Sequence, residues 1–449
     1  MIFMNNNLIK KFFVIIFLAS ICPLNSIAED LRDVLIDSYN YYPDIRKSRN
    51  DLKIAQKDLE ISRSDFLPSL DLNVSQGRKI TKSNPDASQY NYTNLNPTII
   101  DLEVSQPLGA TKFLNLRTAK NSLKISELKN ISLTQEILYR ATRSYYTVLK
   151  ERFLLDVAIK NEKNLTQKYE ATEKRFGFKD VTRTDVFQAQ SRLAEATSKR
   201  IEAENNYDIA VSDFQSIVGR KPSIKWFSDD KNKITSSNPK DWSKFVQLPK
   251  LPLSLDNSIK LALTNNPDFL QLKIKVENAR IDIKKKGLDF LPEFSITGSY
   301  GKSLESSRTV ERKDEYELTA DFTLPLFKKG HNFYNVDKAI NNALSIENNL
   351  NSEKIDLKHE VRSTWKRIQS LKSSIKSLEK SVEFKLVALD GVTKEFGVGT
   401  RTTLEILDAE KELTQAEANL ISAQFTLVDS SYLLLKSCGL VNFKYLNIR

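Results

Sequence analysis

The sequence predicts a mainly α protein with a small β part: long antiparallel coiled-coil helices that carry four strands. Three observations predict it. Landmarks recur at a nearly constant offset, four short stretches alternate apolar with polar residues, and most of what remains repeats apolar residues every third and then fourth position. Alternation of period 2 is the mark of a half-buried strand, and a 3–4 spacing is the seam of a left-handed coiled coil.

The chain has 449 residues and opens on a targeting segment. Lys10 and Lys11 precede an apolar run from Phe12 to Ile21, and Ser26-Ile27-Ala28 gives a small-x-small cleavage site. This reads as a secretory signal peptide over 1–28, cleaved after Ala28. The run is too short for a span of about 30 Å of hydrocarbon. Cys22 follows Ile21, whereas a lipidation motif wants a small residue there. Removal of 1–28 leaves Cys438 as the lone cysteine, which excludes an internal disulfide and a cysteine metal cluster. The formal net charge is +11 and is scattered along helical stretches, which speaks against a nucleic-acid patch. After the signal no run of 18 apolar residues occurs, so a membrane crossing falls to β-strands.

The repeat orders the rest. Tyr41-Tyr42-Pro43-Asp44 recurs as Asn265-Asn266-Pro267-Asp268, Phe66-Leu67-Pro68 as Phe290-Leu291-Pro292, and Gly77 as Gly301. Val104-Ser105-Gln106-Pro107-Leu108 is echoed by Phe322-Thr323-Leu324-Pro325-Leu326. Phe176-Gly177 matches Phe396-Gly397, Ala189 matches Ala409, and Gly219 matches Gly439. Such self-similarity is a duplication. The expected organisation is one repeat over 29–219, a linker over 220–252, a second repeat over 253–440 and a tail over 441–449. The linker holds Trp226, Trp242, Pro222, Pro239, Pro249 and Pro252.

Each repeat opens on a helix, expected from about Leu31 to Phe66 and again from about Ser254 to Phe290, and ended by Leu-Pro. The period then changes to 2. Leu70, Leu72 and Val74 alternate with Asp71, Asn73 and Ser75; Ile100, Leu102 and Val104 alternate with Asp101, Glu103 and Ser105. Phe294, Ile296 and Tyr300 alternate with Glu293, Ser295, Thr297 and Ser299; Tyr316, Leu318, Ala320 and Phe322 alternate with Glu317, Thr319 and Asp321. About ten residues with one apolar and one polar face fit a strand of a transmembrane barrel, apolar side to lipid. The lipid face would comprise Leu70, Leu72, Val74, Ile100, Leu102, Val104, Phe294, Ile296, Leu318 and Phe322. The stretches 80–96 and 302–315 are polar and are expected as surface loops.

Long helices are expected over 110–176 and 329–396, each about 100 Å at 1.5 Å per residue. Each would lie beside two shorter helices stacked end to end. Val186, Ala189, Leu193, Ala196, Arg200, Ala203, Tyr207, Ala210, Phe214 and Ile217 form one seam, broken only by Arg200. Ile406, Ala409, Leu413, Ala416, Leu420, Ala423, Leu427, Ser430, Leu434 and Ser437 form the other.

On the Phe66-Leu67-Pro68 and Phe290-Leu291-Pro292 helix ends, the Gln106-Pro107-Leu108 strand end and the two hairpin turns, the chain resembles the TolC family of outer-membrane efflux and secretion factors. Its most specific stretch is Phe396-Gly397-Val398-Gly399-Thr400-Arg401-Thr402 followed by Glu405-Ile406-Leu407-Asp408-Ala409. That is similar to the family's Tyr-x-x-Gly-Thr-Arg-Thr with Asp-Val-Leu-Asp-Ala. The resemblance implies a homotrimer whose 12 strands close one barrel in outer-membrane lipid, with helices continuing as an α-barrel tunnel across the periplasm. It implies docking to a periplasmic adaptor (membrane-fusion) protein and an inner-membrane pump of ABC, RND or MFS type. It also implies a periplasmic constriction: Asp408 and Glu405 as ring acids, Arg401 and Phe396 in the linking positions, and Thr184 with Asp185 in the first repeat. Phe396 stands where the family has a hydroxyl-bearing Tyr, Glu405 replaces Asp, and Lys179 replaces a turn glycine. Glu405 and Asp185 also read as partners of Thr402 and Thr182 in capping boxes, while Asp408 comes one turn too late to cap.

His331 and His359 are the only histidines, and neither a thiol pair nor a Gly-rich phosphate loop occurs. No enzyme, metal site or cofactor is expected. A passive export channel of a tripartite efflux or type I secretion system is the expected function. The competing class is a periplasmic coiled-coil scaffold or adaptor, which would share the helices and the signal but not four amphipathic strands.

Overall fold

The structure is a computed structural model that describes residues 31–86, 89–223, 248–307, 309 and 311–446. The signal peptide over 1–28, Cys22, Trp226, Pro239 and Trp242 lie outside the described residues. The elements run α1 (Leu31–Tyr41), α2 (Pro43–Ser64), β1 (Ser69–Gln76), β2 (Lys79–Asp86), β3 (Gln89–Leu95), β4 (Thr98–Leu108), α3 (Thr111–Gly177) and α4 (Arg183–Val218). Then follow α5 (Leu255–Asn265), α6 (Pro267–Leu288), β5 (Glu293–Leu304), β6 (Arg312–Thr323), α7 (His331–Gly397) and α8 (Thr403–Ser437). Helices α3 and α7 have 67 residues each.

The sequence reading needs two corrections. The opening helix of each half is two helices, broken at Tyr42–Pro43 and at Asn266–Pro267. Tyr42 (φ −67°, ψ 121°) and Asn266 (φ −62°, ψ 119°) are extended, because a proline ring clashes with a helical residue before it. Proline then starts the next helix, where its missing N–H costs nothing. Asn266 caps α6 by accepting from the N–H of Asp268 and Phe269, both at 3.0 Å.

The second correction concerns the loops. Residues 79–86 and 89–95 pair as a two-stranded hairpin, while β5 reaches Leu304 and β6 begins at Arg312. An antiparallel ladder satisfies its N–H and C=O groups whatever the side chains, so polarity does not end a strand.

Contacts divide the chain into two compact units, and each takes segments from both halves of the sequence. One gathers Met1–Tyr41, Arg140–Leu248 and Leu371–Asp429. Within it α1 packs on α4, burying Val34 and Leu35, and Arg220 donates to Asp37 at 2.8 Å. Leu165, Ala189, Ala196 and Leu407 form a core with Tyr169 and Leu193 against it. Phe425 lies against the rings of Tyr146 and Phe153 at 6.3 and 6.2 Å. Arg200, the break in the first seam, is paired through Nε with Glu162 on α3 at 2.8 Å.

Helix α8 buries Thr403, Glu410, Glu417 and Gln424 at seven-residue intervals beside its apolar seam. Burial pushes the Glu417 carboxyl above its ordinary range, and Lys160 opposes the shift. A carboxyl whose folded pKa exceeds its unfolded one stabilises the fold fully below the unfolded value, and that contribution is lost as pH rises through the folded value. Glu417→Gln is therefore expected to raise the melting temperature at pH 7.5 and to flatten its dependence on pH between 5 and 7.5. Thermal unfolding at the two values checks this; a lower melting temperature at pH 7.5 would contradict it.

The other unit gathers Tyr42–Tyr139, Pro249–Ser370 and Ser430–Arg449. It holds the antiparallel sheet in the order β1-β4-β5-β6. The two halves seat it alike: Phe66 meets Phe113 and Phe290 meets Phe333, edge to face at 5.1 and 5.0 Å. Arg117 pairs with Glu277 at 2.7 Å and Asn121 donates to Asn278 at 2.9 Å. The end of α8 is fixed by side chains from three helices. Gln135 donates to the Gly439 carbonyl, Asn266 to that of Ser437, and Ser437 to Glu360. Cys438 is fully buried and its thiol, donating to the Ser258 carbonyl, is pushed up to about 12 by burial.

Candidate functional site

The register settles which strand residues share a face. Leu70 lies opposite Val104, Leu72 opposite Leu102 and Val74 opposite Ile100. Val104 is opposite Gly298 and Leu102 opposite Tyr300; Phe294 is opposite Phe322, Ile296 opposite Ala320 and Gly298 opposite Leu318. Directly paired residues point the same way, so all ten expected apolar residues fall on one side of the sheet. Leu70, Leu72, Val74, Leu318 and Phe322 are exposed there in the single chain, Leu318 by 81%. The opposite side carries Asp71, Asn73, Asp101, Glu103, Glu317 and Asp321 by the same pairing. A soluble sheet buries its apolar face and solvates the other; this sheet leaves large apolar residues uncovered.

The second candidate lies at the ends of α3 and α7, in the unit without the sheet. Both helices end in the same turn. Asp180 and Thr400 donate to the carbonyls of Arg175 and Glu395, and Lys179 and Gly399 to those of Phe176 and Phe396. This is a Schellman closure, which needs a left-handed residue: Gly399 has φ 82° and Lys179 has φ 63°. Lysine thus occupies the left-handed position in one copy, at a cost of about 1–2 kcal/mol.

The following helices start alike. Thr182 caps α4, with Asp185 accepting from its N–H at 2.8 Å and donating its own N–H back at 3.2 Å. Glu405 accepts from the Thr402 N–H at 2.8 Å, and that hydrogen bond, followed by Arg401, lowers its pKa. Both expected acids therefore cap helices. Arg401 bridges Glu395 at 2.7 Å and Glu405 at 3.2 Å, and Thr184 is exposed in the first turn of α4.

Two partners were not legible in the sequence. Asp408 is ion-paired with Arg192 at 2.8 Å, and the Arg175 guanidinium lies 4.8 Å over the Phe396 ring. Phe396 is thus engaged through its ring face, by a cation–π contact. Each partner comes from the other half of the sequence. Arg192 lies off the seam and gives no periodic signal, while Arg175 occupies the place equivalent to Glu395 and differs from it in charge.

A four-stranded sheet with one uncovered apolar face, joined to helices of 67 residues, offers a surface of the kind that meets lipid or a protein partner. The chain belongs to the family described as outer membrane efflux protein, which matches residues 40–220 and 258–440. It is accordingly a non-enzymatic efflux or secretion channel of the outer membrane. It is 24% identical over 400 residues to the outer membrane protein TolC of Escherichia coli K12, covering 86% of this chain and 77% of that one. It is 23% identical over 359 residues to the alkaline protease secretion protein AprF of Pseudomonas aeruginosa, covering 79% and 72%. Its fold matches the outer membrane channel CmeC of Campylobacter jejuni with a TM-score of 0.78 at 17% identity, covering 92% and 86%.

Proposed function

We propose that three copies of this chain close one 12-stranded barrel in the outer membrane, continued by their helices as a tunnel across the periplasm. The observation that carries this is the four-stranded sheet, with one uncovered apolar face and the edges β1 and β6 without a strand partner among the described residues. Four strands are too few to enclose a lumen, and β6 of one copy beside β1 of the next continues the antiparallel order. The mature chain, cut after Ala28, comprises two repeats over 29–219 and 253–440, a linker over 220–252 and a tail over 441–449. The duct is passive and is joined by an adaptor and an inner-membrane pump in an efflux or type I secretion system. Fractionation and native mass tests the reading: a trimer in the outer membrane supports it, and a monomer in the soluble periplasmic fraction overturns it.

In this reading the α8 start lines the periplasmic constriction, with Asp408 as its charge. Arg192 neutralises part of that charge in the single chain. Asp408→Asn removes the carboxylate and leaves Arg192 without this partner, so both changes act against cations near a narrow axis. The substitution is expected to lower cation preference. Single-channel reversal potential in a salt gradient reads this, with Asp429→Asn as a remote control. Unaltered selectivity and unaltered block by trivalent cations would remove Asp408 from the constriction.

A further inference from the structure

Helices α3, α4 and α8 enclose a groove of about 240 Å³ within the unit that carries the two turns. Its apolar wall includes Leu154, Val157, Leu165, Ala196 and Leu407. Into it α8 sends Glu410, only 7% exposed. The two oxygens of this carboxylate have unlike surroundings. Oε1 is ion-paired with Lys168 at 2.5 Å, while Oε2 is buried without a hydrogen-bond donor. Thr414, one turn on, cannot serve it, because its hydroxyl is directed at the Glu410 carbonyl and at Asn161.

A desolvated carboxylate oxygen without a donor is costly, and the strongest compensation is an N–H borne by a cation. Glu151, Glu195 and Glu202 line it with Glu410, beside Arg192, Lys199 and Lys411, while Lys150 and Lys168 pair with Glu151 and Glu410. Arg192 and Lys199 are already engaged by carboxylates, Arg192 by Asp408 and both by Glu195. A groove of this size admits a small molecule of about ten non-hydrogen atoms.

We propose that this groove binds a small amphiphilic ammonium cation, its apolar body against Leu154, Leu165 and Leu407 and its N–H donated to Glu410 Oε2.

The test uses the assembled protein in lipid nanodiscs and the probe 4-fluorophenethylammonium, followed by ¹⁹F transverse relaxation. 2-(4-Fluorophenyl)ethanol serves as the neutral match in size and apolar area. Saturable binding of the amine is expected, weakened roughly tenfold or more both for the alcohol and in Glu410→Gln, as for a hydrogen bond to a charged group. Ala418→Phe, which fills the groove from its α8 wall and leaves Glu410 in place, is expected to abolish binding while the oligomer persists. It carries the test if Glu410→Gln does not assemble. Equal binding of alcohol and amine would reduce the groove to an apolar surface and overturn the proposal. So would unchanged affinity in Glu410→Gln, or no saturable amine binding, as when a fixed water or a helix of a partner fills the space.

Discussion

Leu102→Arg and Phe322→Arg are expected to abolish recovery of the protein from the outer membrane, whereas Asp101→Asn and Asp321→Asn leave it unchanged. Leu102 and Phe322 lie on the uncovered apolar face, 36% and 59% exposed in the single chain. Asp101, opposite Asn73, and Asp321, opposite Ser295, lie on the other. On the proposed lipid face an arginine costs about 2–4 kcal/mol at the bilayer midplane, three times over in the proposed trimer. In the proposed barrel the carboxylates face a wet lumen, so loss of charge there removes no burial. Membrane fractionation and the yield of SDS-resistant oligomer read the difference. Equal tolerance at both pairs would refute the assignment of faces.

Gly439→Ala is expected to be the most damaging of three glycine substitutions, by about 3 kcal/mol or more, adding left-handed strain to overpacking. Gly439 closes α8 at φ 70°. A Cβ there would lie 2.4 Å from the Asn265 carbonyl oxygen and 2.6 Å from its carbon, both backbone atoms at the α5–α6 break. Backbone cannot rotate aside, and a shift would disturb the Gln135 and Asn266 hydrogen bonds that hold this end of α8. Gly219 has φ 87°, and a Cβ there would lie 2.4 Å from the Tyr41 ring, but a side chain gives way more readily than backbone, so about 2 kcal/mol is expected. Gly399 has φ 82° with open space beyond it, which leaves only the left-handed conformation, about 1 kcal/mol. Thermal unfolding midpoints should rank them Gly439, Gly219, Gly399. Equal losses at Gly439 and Gly399 would contradict the close approach to Asn265.

The seams, both 67-residue helices and the four sheet strands were legible because each repeats a local rule many times. Every residue of the first seam, from Val186 to Ile217, is buried or half-buried. The capping roles of Asp185 and Glu405 were legible for the same reason, since three residues of separation suffice to define a capping box. The break at Tyr42–Pro43 was missed, although the rule applied at Leu67–Pro68 holds there equally. The β2–β3 hairpin carried no such signal, because a backbone ladder forms whatever the side chains are.

The sequence by itself determined the periods, the duplication, the turn chemistry and the family, since all of these rest on residues near one another or on order along the chain. Only the tertiary structure decided that Asp408 meets Arg192, that Arg175 covers Phe396, and that Glu410 keeps one oxygen paired and the other without a donor. Those contacts join residues more than 200 positions apart, across helices whose mutual register local spacing does not specify. In a long coiled coil a slide of one heptad preserves the apolar seam but exchanges every charged neighbour. Hydrophobic period thus sets which face is buried, and three-dimensional register sets which charges meet.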